Sequence, residues 1–125
     1  MTQKKYDTYF IDIDGTIFKY RPFEAYEHHP AELTPGTLKK LEEMYGAGHT
    51  IVLTTARPEH LREFTVTELL DFGIPWHQLV MGIARGPRHL VNDMSPSNPG
   101  PRAIPWNLER DEGLAGVVVV SNEDR

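Results

Sequence analysis

The chain has 125 residues, a net charge of −5, 39% apolar residues and 25% charged residues, which suits one globular domain with one core. No apolar run approaches the roughly 18 residues that a membrane span needs, and the absence of cysteine excludes disulfides, thiolate catalysis and cysteine metal sites. No Lys/Arg block marks a duplex-binding face, and the N-terminal lysines lead into a strand pattern instead of a signal-peptide core, so the expected compartment is the cytoplasm and nucleic acid is not the expected partner.

The first element is the aromatic and apolar run Tyr6–Ile13, which predicts a buried strand. Two carboxylates, Asp12 and Asp14, stand where that strand ends. Alternation along a strand puts them on one side, and Gly15 lets the chain turn away. Left unpaired, they would raise each other's pKa, a repulsion that an oxygen-binding divalent cation such as Mg²⁺ relieves. Residues 17–33 carry two prolines and mixed polarity, so they read as a loop or a short hairpin. The pair His28-His29 within it has no partner spacing and is more readily solvated than ligating. Thr34 and Pro35 then suit the N-cap and first turn of a helix, with Leu38, Leu41 and Met44 or Tyr45 on one face and Gly46 and Gly48 as the stop.

His49–Thr55 predicts a second buried strand, followed by Ala56-Arg57-Pro58 and a helix that Gly73 ends. A hydroxyl-bearing turn leading into a helix N-terminus can hold a phosphate, since free N–H groups and a Thr hydroxyl point the same way. In the simpler reading, Thr54 and Thr55 only cap the helix. Gln78–Gly82 predicts a short third strand, and Leu90-Val91 a fourth, ending in Asn92-Asp93. Residues 95–101, rich in proline and serine, form a loop, and 102–125 are a C-terminal extension with a last edge strand at 102–107. Leu108–Gly116 reads as a turn or short helix, and Val117–Val120 fits a strand or a terminal helix. Trp76, Trp106 or the valine run, if exposed, could serve a homo-oligomer.

Strands alternating with helices imply an α/β fold with a doubly wound, mostly parallel sheet, and such sheets bind ligands beyond the carboxyl ends of their strands. Asp12 and Asp14, Thr54 and Thr55, and Asn92 and Asp93 all fall at such ends. Three polar clusters therefore meet on one edge.

The segment Asp12-Ile13-Asp14-Gly15-Thr16 resembles the first motif of the haloacid-dehalogenase-like (HAD) phosphohydrolases, and the resemblance extends over about Tyr6–Met94. It implies a single capless HAD-like domain over 1–125, because the 17 residues between Thr16 and Thr34 leave room for a flap but no folded cap. Asp12 would be the nucleophile and Asp14 the general acid/base, with Thr16 orienting Asp14. Leu53-Thr54-Thr55-Ala56-Arg57 matches the second motif, Thr55 best. Val91-Asn92-Asp93 matches the fourth, with Asn92 in place of the usual first acid; Asp93 is the preferred metal ligand, and Asn92 offers the metal a neutral oxygen. The third-motif Lys is missing, since no Lys follows Thr50; Arg85, as a loop residue, is preferred over Arg88, and Arg57 is a further source of charge.

The implied chemistry is hydrolysis of a phosphomonoester through an aspartyl-phosphate, with Mg²⁺ held by Asp12, the Asp14 carbonyl and Asp93. Thr54, Thr55, Gly15, the loop amides and an Arg would hold the phosphate. A small phosphorylated metabolite such as a sugar phosphate is the expected substrate. Asp14 argues against dehalogenation, and the lack of an acid after Met81-Gly82 argues against a phosphoacceptor receiver domain. The alternatives are a weakly active or non-catalytic phosphate-binding module, and a phosphatase of nucleotide or polynucleotide ends.

Overall fold

The computed structural model describes residues 5–97 and 100–121. Five regular elements follow in order: β1 (Thr8–Asp12), α1 (Thr37–Gly46), β2 (Thr50–Thr54), α2 (Arg62–Asp71) and β3 (Gln78–Val80). Single 3₁₀ turns at Phe23–Ala25 and Glu59–Leu61 interrupt the loops before α1 and α2. The three strands form one parallel sheet in the order β1-β2-β3. Its register aligns Asp12 with Thr54, and Thr54 with Val80, at the carboxyl edge.

This is an α/β fold with a small parallel sheet and two helices. The doubly wound arrangement expected from the sequence is not formed among the described residues. Such winding needs the strand order to reverse direction, and here it steps only one way. The fourth strand at Leu90-Val91 is likewise not formed: two apolar residues between polar neighbours find no partner ladder, and Val91 is 92% exposed. Nor does 102–107 form an edge strand, since Ile104 and Trp106 lie exposed on irregular chain.

One sheet face carries the core. Ile11, Ile51 and Leu53 are buried together with Leu41 and Met44 of α1, Leu69 of α2, and Ile13, Ile17 and Phe18 after β1. Each such side chain removed from water contributes on the order of 1.5–3 kcal/mol. The opposite face is more open, with Phe10 and Val80 exposed and Val52 buried between them in register with Phe10.

The first helix begins three residues later than Thr34. The Thr34 hydroxyl is turned toward the carbonyl oxygens of Thr16 (2.7 Å) and Ile17 (3.1 Å), so it fastens the flap instead of capping, and Gly36 in the left-handed region (φ 69°) takes the cap position. Phe18 bridges Asp14 and Leu33, which makes the flap a short, hairpin-like excursion.

Val117–Val120 form neither strand nor helix. Leu114 and Val117 complete the core, and beyond them the backbone is held by side chains. The Tyr9 hydroxyl donates to the Val118 carbonyl and accepts from the Val120 amide, both at 3.1 Å. Fully buried His49 accepts the Asp7 N–H on Nδ1 (3.0 Å), which leaves Nε2–H to donate to the Val120 carbonyl (2.7 Å). Trp76, half-buried, packs against the core. No helix among the described residues is long and apolar enough to cross a membrane.

Candidate active site

Asp12 closes β1, and its carboxylate stands partly in solvent at the sheet's carboxyl edge, its side chain 39% exposed. Thr16 donates to its Oδ2 at 3.4 Å, and Arg88 Nη2 reaches its Oδ1 at 3.2 Å. Thr16 therefore orients Asp12, not Asp14 as the motif suggested, because the turn brings residue 16 back over the strand end. Burial raises the Asp12 pKa, and the neighbouring Asp14 charge raises it further, while Arg88, the Ile13 amide and Thr16 pull the other way. Of the two arginines considered for the missing lysine, Arg88 makes the contact; Arg85 is exposed, with no ion pair among the described residues.

Asp14 sits just beyond the strand in a different setting. Arg57 grips it with two parallel bonds, Nε to Oδ2 at 2.9 Å and Nη2 to Oδ1 at 2.8 Å, and the Tyr26 hydroxyl donates to Oδ2 at 3.0 Å. The Arg57 side chain, 1% exposed, extends from the turn after β2 toward α2, where Thr65 accepts from it at 3.0 Å and Glu68 at 2.8 Å. Glu68 also pairs with buried Arg21 at 2.8 Å, and Arg21 donates to the His29 carbonyl, tying down the flap. Both guanidinium groups lie over the Tyr26 ring, at 4.5 Å for Arg57 and 4.9 Å for Arg21, with Phe64 stacked on Tyr26. Burial alone would lower the Arg57 pKa, but the Asp14 and Glu68 carboxylates more than offset it, so Arg57 is held charged. Burial and the Asp14 charge push the Tyr26 phenol up to about 12, so it keeps its proton.

The loop amides are largely used within the loop. Gly15 N–H donates to Phe18 O at 2.7 Å, and the Thr16, Ile17 and Phe18 amides converge on Ile13 O. Gly15, at φ 86°, supplies the turn and not a phosphate-facing amide. On β2, Thr54 lies in register beside Asp12, on neighbouring strands spaced about 4.8 Å apart. Thr55 is buried, and its Oγ1 accepts the Arg57 N–H at 3.1 Å. The turn expected to cradle a phosphate thus positions Arg57, and the helix that follows opens with a 3₁₀ turn.

Compared with protein-family models, curated proteins and solved structures, the chain finds no match. The site is therefore read from its own chemistry.

Asn92 and Asp93 are exposed on irregular chain past Arg88, and among the described residues no three His, Asp or Glu side chains converge as a metal group. The sequence reading overlooked Arg21, Tyr26 and Glu68. Only Glu68 carried a signal: a carboxylate on the same helical stripe as Leu61, Thr65 and Leu69. The arrangement presents one partly exposed carboxylate beside an arginine and a threonine, backed by a second carboxylate locked in a buried ion cluster.

Proposed function

We propose that this chain is a capless HAD-like phosphohydrolase that hydrolyses a phosphomonoester through an aspartyl-phosphate. The observation that carries the reading is the juxtaposition at the carboxyl edge of the parallel sheet: Asp12, its carboxylate partly in solvent, stands in register with Thr54 and against Arg88. That edge is where parallel sheets place ligands. In this reading an Asp12 oxygen forms a bond to phosphorus as the bond to the leaving oxygen breaks. Thr54 and Arg88 hold the non-bridging oxygens, Arg88 moving from Asp12 to the phosphate as charge builds there.

Asp14 takes the proton of the water that then breaks the acyl-phosphate bond, which releases orthophosphate and frees Asp12. Arg57 and the Tyr26 hydroxyl hold its two oxygens in place. In the first step Asp14 gives a proton to the leaving oxygen, and the water of the second step returns it.

Magnesium uses one or two carboxylates, keeps several waters and takes its remaining oxygens from substrate phosphate. Asp12 and the Asp14 carbonyl are the oxygens that would hold it; Asn92 and Asp93 stand exposed on irregular chain, and no group of three His, Asp or Glu side chains forms there among the described residues. When bound, the ion would screen the attacking carboxylate from the phosphate charge.

The test is turnover of para-nitrophenyl phosphate by the wild type and by Arg88→Gln and Thr54→Val. The reading expects kcat/KM to fall about tenfold or more in each, as loss of a charge-assisted or buried phosphate contact implies. Turnover unchanged in both would remove the phosphate site described here.

A further inference from the structure

The cations of this chain are unevenly partnered. Among the described residues, Arg21, Arg57 and Arg62, all outside the stretch Ile83–Arg110, each pair with a carboxylate. Within that stretch there are four arginines against Asp93 and Glu109, and only Arg88 makes an ion pair among the described residues. The stretch leaves the site at Arg88 and returns to it at Arg110.

Arg110 is held in place with no ion pair among the described residues. Its Cγ lies against Gly15, 3.3 Å from where a Cβ would stand, and its guanidinium sits over the Tyr20 ring at 4.2 Å. The next residue secures it. Asp111 adopts a left-handed backbone (φ 67°), uncommon for a residue with a side chain, and is fixed there by two bonds: its N–H to Gly15 O at 2.8 Å, and its Oδ1 accepting the Tyr20 N–H at 2.7 Å. A guanidinium stacked by its face keeps its N–H edge free for a planar, two-oxygen partner. Gly15 is three residues from Asp12, a backbone reach of about 10 Å at most.

We propose that Arg110 is a second anion subsite, which receives an oxyanion (phosphate or carboxylate) on the leaving-group part of the substrate while the scissile phosphate lies at Asp12. The substrate class is thereby narrowed to phosphomonoesters that carry a further negative group. This rests on the phosphohydrolase reading above.

The experiment compares kcat/KM for three hexose-derived 6-phosphates: glucose 6-phosphate, 6-phosphogluconate and glucose 1,6-bisphosphate. The doubly anionic compounds are expected to be preferred about tenfold, and the preference to collapse in Arg110→Gln, since one charge-assisted pair is worth about that factor. Preference for the bisphosphate alone assigns the subsite to phosphate, and for both compounds to either group. Lys39→Gln, an exposed change on α1, removes the same charge elsewhere and should keep the preference. Arg110→Lys serves if the Gln variant does not fold, with a smaller loss because the fork is gone. A preference unchanged in the Arg110 variants, or lost equally in Lys39→Gln, overturns the assignment. Calorimetry separates this from the parent reading. Tripolyphosphate should bind about tenfold tighter than orthophosphate, and Arg110→Gln should erase the difference. That pattern without any turnover refutes the hydrolase and keeps the anion site; turnover without that pattern does the reverse.

Discussion

Replacing Arg57 with methionine tests the ion cluster behind the site. Methionine keeps much of the stem volume and removes the guanidinium, so the loss is electrostatic. Asp14 and Glu68 have side chains only 14% and 12% exposed, and each draws on Arg57. Glu68 retains Arg21, but Asp14 keeps only the Tyr26 hydroxyl. Removing one partner of a buried pair costs about 3–5 kcal/mol because the other charge is left uncompensated. That is a large share of the 5–15 kcal/mol that holds a typical domain together. With an m-value near 2 kcal/mol/M, the urea midpoint should fall by about 2 M. Asp14→Asn should recover part of this in the double variant, giving a coupling of about 1.5 kcal/mol or more. A fall of under about 0.5 M would place the Arg57 contacts among ordinary surface salt bridges and refute the buried-cluster account.

Tyr26→Phe removes one hydrogen bond to a carboxylate, worth roughly 1.5–3 kcal/mol at neutral pH. Because the phenol is raised from 10 to about 12 in the fold, the unfolded chain ionises first, so wild-type stability should decline as pH rises from 10 toward 12. Unfolding curves of the Phe variant should lack that component; an identical alkaline decline in both proteins would contradict it. Gly113→Ala should cost more than about 2 kcal/mol, since a left-handed backbone at φ 88° alone costs 1–2 and the new Cβ would run into the Pro35 carbonyl oxygen. A melting temperature within a degree or two of the wild type would show that the C-terminal stretch is not docked as described.

The elements legible in the sequence were those written in local patterns. The runs at Tyr6–Ile13, His49–Thr55 and Gln78–Gly82 became β1, β2 and β3 with slightly trimmed ends, and Gly73 ends α2 in the left-handed region. On α2, Thr65 and Leu69 are buried, and Phe72 just beyond it packs against the core. Leu90-Val91 misled because a two-residue apolar run says nothing of whether a partner strand exists. Pro35 and Thr34 suggested a cap, but a hydroxyl bonds whichever carbonyl the fold brings near, and here that came from the flap. At the candidate site, Asp12, Asp14 and the two threonines were marked by strand ends. The bond from Arg57 to Asp14 spans 43 residues and that from Arg21 to Glu68 spans 47, distances over which no periodicity operates. The choice of Arg88 over Arg85 likewise depends on how an irregular stretch crosses the sheet edge.

The central claim is that Asp12 is a nucleophile toward phosphorus, and the most direct measurement is hydrolysis of para-nitrophenyl phosphate with and without Mg²⁺ by the wild type, Asp12→Asn and Asp14→Asn. The account predicts metal-dependent turnover, abolished in the first variant and reduced about 10²–10⁴-fold in the second. Turnover at the wild-type rate by Asp12→Asn, or none from a folded wild-type protein supplied with Mg²⁺, would contradict it.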